Sequence, residues 1–246
     1  MKALTWKPIL SNLKEANGEL IDLLWRLHYL TFGELPEDCP GRADASYVAW
    51  YAREEERHPF AEGGLFVSLE HAYHHLNWAW NCRRTPESRV WHFAESDAKR
   101  WTCFPDTTDF ADLWPLDRTV KVAKDDAGFI GSRKKICLFP LRPEIELAQR
   151  KLDNLCRFVE KKCFGEEKVV SPKGMPADVW QRPLTEKDFA RRLHRIYDML
   201  NTAWNCRRRE NYPKGSRAIQ RCRCFSVAFA TGCHNMWRGR RKDGSE

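Results

Sequence analysis

Two sixteen-residue segments, Leu69 to Arg84 and Leu193 to Arg208, share the pattern Leu-x3-Tyr-x2-Leu-Asn-x-Ala-Trp-Asn-Cys-Arg-Arg and agree at ten of sixteen positions. Unrelated segments of average composition agree at roughly one. Shared residues include rare types, Trp80/Trp204, Tyr73/Tyr197 and Cys82/Cys206. The chain therefore reads as an internal duplication. A shift of 132 residues extends the match upstream, pairing Pro8 with Pro140, Leu20 with Leu152 and Phe32-Gly33-Glu34 with Phe164-Gly165-Glu166.

The repeated segment has the period of a helix. Leu69, Tyr73, Leu76 and Trp80 fall at i, i+4, i+7 and i+11, as do Leu193, Tyr197, Leu200 and Trp204, and neither run holds Pro or Gly. On a 3.6-residue repeat these positions form one apolar stripe. Thr185 with Asp188 three residues on reads as the cap of the second helix. Further helices are expected from Ser11 to about Thr31, from Ala45 to Arg57, from Thr85-Pro86-Glu87 through Val90, Trp91 and Phe93, and briefly around Phe110 to Trp114. The expected fold is all-α, with two tandem duplicated helical units packed about a pseudo-twofold axis. Unit 1 covers residues 1–115 and unit 2 covers 137–237. Residues 116–136 form a linker or a small β-hairpin around Asp125 to Gly128, and 238–246 form a basic disordered tail.

Charge separates the two copies. Residues 1–130 carry a net −6 and residues 131–246 a net +14. Such asymmetry implies different partners, a polyanion for the basic half and a protein for the acidic half. The densest cations are Arg207, Arg208, Arg209, Lys214, Arg217, Arg221 and Arg223, with Tyr212 among them, and the first copy keeps Arg83, Arg84 and Arg89 at matching positions. Guanidinium forks with an interleaved aromatic suit phosphate and base contacts. Asn201 and Asn205 continue the same helix line into Arg208, as Asn77 and Asn81 do into Arg84, and join the candidate set. The competing reading of these asparagines is a buried network between helices, and for them it ranks first.

Other chemistry is less well supported. Cys206, Cys222, Cys224, Cys233 and His234 lack the spacing of a zinc knuckle, and the first copy keeps few counterparts. Arg53 to His58 spells the R-x4-H of some helical ribonucleases, but the matching region of the second copy, residues 180–188, has no histidine. Paired carboxylates, a phosphate-binding glycine loop and a nucleophile elbow are missing from the sequence, so no cofactor or metal is expected. No apolar run approaches eighteen residues, which argues against a membrane span, and ten cysteines without a secretory signal suggest free thiols in the cytoplasm. The function expected is a non-catalytic RNA- or DNA-binding subunit of a ribonucleoprotein or nucleic-acid-processing complex. A protein-binding adaptor or inhibitor is the first alternative and a helical nuclease the second.

Overall fold

The computed structural model describes residues 4–102, 132–165 and 168–209. Among these residues the chain is helical, with no strand: α1 (Trp6–Phe32), α2 (Ala45–Arg57), α3 (Glu62–Asn81), α4 (Glu87–Trp91), α5 (Glu95–Trp101), α6 (Leu138–Phe164), α7 (Ala177–Gln181) and α8 (Glu186–Cys206). The expected helix near 110–114 and most of the expected linker or hairpin at 116–136 lie outside the described residues. Residues 132–137 are described and form no strand.

Local chemistry sets most boundaries. Asp44 accepts from the backbone N–H groups of Ser46 and Tyr47 and starts α2. Thr185 accepts from the N–H of Asp188 at 3.1 Å and starts α8. Gly33 ends α1 at φ +77°, a left-handed conformation that costs a residue with a Cβ. Two expectations need correction. Helix α1 begins at Trp6, not Ser11, because Ile9 and Leu10 extend its buried stripe and Trp6 packs edge-on against Phe189 at 6.1 Å. Helix α4 stops at Trp91, leaving Phe93 beyond it, and its cap position is taken by Pro86 instead of Thr85. Gly63 and Gly64 open α3 within its first turn, and the first N–H groups of that turn are satisfied by the segment that leads into α6. Glu62 N–H donates to the Lys134 carbonyl at 3.0 Å, and Gly63 N–H to that of Ser132 at 3.0 Å.

The four long helices α1, α3, α6 and α8 enclose a single core. Leu13, Leu20 and Leu27 of α1 meet Leu69 and Leu76 of α3, Leu152 and Leu155 of α6, and Leu193 and Leu200 of α8, all fully buried or nearly so. Each such leucine contributes about 2 kcal/mol of transfer free energy. Large aromatics fill the gap between α3 and α8, with Trp80 stacked on Phe189 at 5.9 Å and Trp204 tilted against Phe66 at 5.7 Å. A smaller cluster of Trp78, Val90, Ala98 and Trp101 holds α4 and α5 against α3.

At the centre Tyr73 and Tyr197 stack at 5.7 Å with their planes 9° apart. Each hydroxyl reaches across to the opposite helix. Tyr73 donates to Asn201 Oδ1 at 2.6 Å, and Tyr197 donates to Asn77 Oδ1 at 2.7 Å. The Asn77 amide donates onward to the Thr102 carbonyl at 2.9 Å, and Asn81 to that of Trp101 at 3.1 Å, so both asparagines close the C-terminus of α5. Removing either hydroxyl strands a buried amide oxygen. Tyr73→Phe and Tyr197→Phe should each lower stability by about 1–3 kcal/mol, read from the urea midpoint at constant slope.

Candidate functional site

The repeated arginines, expected to grip a polyanion, are engaged by carboxylates of their own chain. Arg83 Nε donates to Glu186 Oε1 at 2.8 Å and Arg84 Nη2 to Glu186 Oε2 at 2.8 Å. Conversely, Arg207 Nε donates to Glu62 Oε1 at 2.6 Å and Arg208 Nη2 to Glu62 Oε2 at 2.7 Å. The C-terminal end of each of α3 and α8 is thus tied to the first residue of the other. Arg83 also donates to the Trp80 carbonyl at 2.9 Å and lies 3.7 Å above the Trp80 ring, while Arg207 donates to the Trp204 carbonyl at 2.8 Å and lies 3.6 Å above that ring. Their own carbonyls accept from the N–H groups of Thr5 and Cys137, the residues that precede α1 and α6.

This arrangement revises the sequence expectation. Arg83 and Arg207 have side chains only 12% exposed. Moving Arg207 and Arg208 to a phosphate would leave Glu62, with no exposed side-chain surface, as an uncompensated buried charge. Asn201 is 1% exposed and hydrogen-bonded to Tyr73, so a strand has no access to it, and Asn205 is half-buried. Arg83, Arg207 and Asn201 are thus built into the fold, while Arg84 and Arg208, 49% and 44% exposed, complete the two clamps at its surface. Of the remaining candidates, Arg89 is exposed and paired with Asp97 at 3.0 Å, and Arg209 is exposed at the last described position. Tyr212, Lys214, Arg217, Arg221 and Arg223 lie outside the described residues.

A different group of cations is left over. Arg150 and Lys151 of α6 face Arg192 and Arg195 of α8, and among the described residues none of these four has a carboxylate within ion-pair distance. Burial pushes the Lys151 ammonium below the usual lysine range, and repulsion from Arg195, Arg150 and Arg192 pushes it further down. The corresponding surface on α1 and α3 is reversed in character. Shifting by 132 and 124 residues places Glu19 where α6 has Lys151, and His71 where α8 has Arg195. These two pair at 3.6 Å. Sequence reading missed the cationic face because its members are split between two helices and form no run. Also missed were Glu62 and Glu186, although the 124-residue shift that relates the repeated segments superposes them exactly in register.

Among the described residues no group of three or more His, Cys, Asp or Glu side chains is placed to hold a metal ion, and no helix is long and apolar enough to cross a membrane. The described cysteines are free thiols, and burial pushes those of Cys82 and Cys156 up to about 12. No protein-family model, curated protein or solved structure matches the chain.

The carboxylate clamps make a pH prediction. Burial pushes the Glu62 carboxyl up, but hydrogen bonds from Arg208, Ser132 and Arg207 outweigh it and hold the group below the usual carboxylate range. A depressed folded value stabilises above the unfolded value of about 4.3, and the contribution is lost as pH falls through the folded one. Glu62→Gln should cost about 3 kcal/mol at pH 7, and Glu186→Gln less because Glu186 is 29% exposed. In melts from pH 7 to pH 3 the gap between wild type and Glu62→Gln should narrow below about pH 4. Parallel curves would mean that the clamp contributes nothing.

Proposed function

We propose that the chain is a duplicated helical protein, its two units related by an approximate twofold axis between α3 and α8, whose second unit binds RNA or DNA without catalysis. The single observation that carries this reading is the cationic face of Arg150, Lys151, Arg192 and Arg195, which among the described residues form no ion pair, with Asp188 near Arg192 as the one carboxylate that offsets it. Burial and then the like charges of Arg195, Arg150 and Arg192 push the Lys151 ammonium down, and a polyanion set against this face offsets that repulsion. Two of the four are exposed and two half-buried, so the guanidinium and ammonium groups present a surface and not a closed pocket. The crossed Tyr73–Asn201 and Tyr197–Asn77 bonds, with the crossed arginine clamps, support the twofold arrangement.

The first unit, in this reading, meets a protein. Helix α2 presents Trp50, 50% exposed, ahead of the exposed Glu56, an apolar anchor near a carboxylate that would repel a nucleic acid. One unit on the strand and one on a protein describe a subunit of a ribonucleoprotein or nucleic-acid-processing complex.

The test is fluorescence anisotropy with labelled RNA and DNA across a range of salt. Affinity should fall with salt, and Lys151→Ala with Arg195→Ala should weaken binding and flatten the log–log slope by about 0.7–0.9 per lost phosphate contact. Replacing Arg207 and Arg208 should lower the melting temperature instead. Absence of binding to any nucleic acid at low salt would overturn the proposal and favour an acidic protein as the ligand.

A further inference from the structure

The connection between the first and second long helix is longer in the first half of the chain. Gly33 to Ala61 joins α1 to α3 in 29 residues, and Gly165 to Thr185 joins α6 to α8 in 21. The difference equals that between the helices they carry, since α2 has 13 residues and α7 has 5. The extra length builds no core, because none of the residues of α2 is buried. One edge of α2 is tied to α1, where Arg26 donates to Glu55 at 2.9 Å and Tyr29 packs edge-on against Tyr51 at 5.0 Å. Ser46, Ala49, Trp50, Arg53, Glu56 and Arg57, at i, i+3, i+4, i+7, i+10 and i+11, are all exposed and form one face along the helix.

We propose that this face docks a lysine- or arginine-bearing segment of a partner protein, with one partner cation seated on the Trp50 ring. The inference rests on the reading of the first unit as the protein-facing one, and it names the chemistry of that partner. The indole is the first argument. Trp50 is 50% exposed, and its exposed neighbour Ala49 is too small to shield it. Its counterpart under the proposed duplication, Trp180 of α7, packs on Phe158 at 5.0 Å and holds the Lys161 ammonium 5.0 Å from its ring centre. In α1 the place of Phe158 is taken by Arg26, which is committed to Glu55 and to the Phe60 ring at 4.6 Å, so Trp50 lacks that floor and offers its ring to a cation from outside. Charge is the second argument. Residues 34–57 hold seven carboxylates against three arginines. Tyr47 lies 5.7 Å from Trp50 and so close to Gly41 that any side chain there would collide with its ring, which sets the turn bearing Glu37 and Asp38 beside the aromatic pair. Both carboxylates are exposed, and a phosphate backbone is repelled where a basic segment is attracted. Arg57 is paired with Glu54 at 3.8 Å, and Arg53, one turn beyond Trp50, confines the cation seat to the N-terminal half of the helix.

The experiment is anisotropy of short fluorescein-labelled Arg-Ala, Lys-Ala and Glu-Ala repeat peptides of one length with the full chain at low salt. Both basic peptides are expected to bind and the acidic one not to. Trp50→Ala and Trp50→Leu should each weaken binding by about five- to tenfold, because leucine keeps apolar bulk and loses the ring. Full affinity in Trp50→Leu would overturn the cation seat, and full affinity in both variants would reduce the binding to diffuse attraction and overturn the surface. Glu37→Gln with Asp38→Asn should weaken binding and flatten its salt dependence. Should a Trp50 variant not fold, a benzophenone-bearing Arg-Ala peptide replaces it; adducts within residues 34–57 are expected, and adducts confined elsewhere would overturn the assignment. Sedimentation equilibrium is expected to show the same mass for wild type and Trp50→Ala, and a wild-type dimer lost in that variant would give the face to a second copy and overturn the proposal. Labelled RNA and DNA measured in parallel separate the two readings. Nucleic acid bound without either basic peptide would overturn this surface alone, and binding of neither class would overturn both.

Discussion

The packing of α3 against α8 depends on polar groups that cross between them. Each helix supplies a tyrosine to the other's asparagine at mid-length, and each has its first-turn glutamate held by the arginine pair that ends the other. Buried polar groups that are fully paired permit one register only, since a slip of one turn leaves several donors and acceptors without partners. The leucine stripes on the same helices would tolerate such a slip far better. Apolar contact supplies the magnitude of stability here, and the crossed polar groups supply its uniqueness.

Arginine, and not lysine, suits the clamp for a geometric reason. Arg83 uses Nε for a carboxylate, Nη1 for a main-chain carbonyl at the end of α3, and the face of its guanidinium for the Trp80 ring. Arg207 does the same with Glu62, Trp204 and that residue's indole. A lysine ammonium is one point charge and cannot satisfy three directions that lie in and across a plane. The adjacent carbonyls then receive Thr5 and Cys137, so one residue type at the end of a helix also fixes where α1 and α6 begin.

Helix positions were legible because period and caps are local. The stripes of α3 and α8, the exact span Ala45–Arg57 and the terminating Gly33 all follow from residues within a few positions of one another. The competing reading of the asparagines as buried network members was also legible, since they adjoin the apolar stripe. The role of the arginines was not. A guanidinium pair looks the same in sequence whether its partner is a phosphate or a carboxylate, and here the partner lies 145 residues away. The cationic face on α6 and α8 was hidden for the converse reason: it arises only when residues 150–151 and 192–195 are brought side by side.

Under the duplication proposed above, the clamp also explains where the two units were free to diverge. Residues of the crossed network cannot change singly without stranding a charge or an amide, so Tyr, Asn, Arg and Glu persist in both copies. The outer surface between the first and second long helix of each unit carries no such constraint. There one unit has Glu19 beside His71, where the Glu19 hydrogen bond pulls the imidazole above its usual range, and the other has Lys151 beside Arg195. A paired histidine and glutamate on one side and a cluster of cations on the other give the two surfaces opposite character. On the function proposed above, the constrained interior preserves the shape and the permissive exterior sets which partner each half attracts.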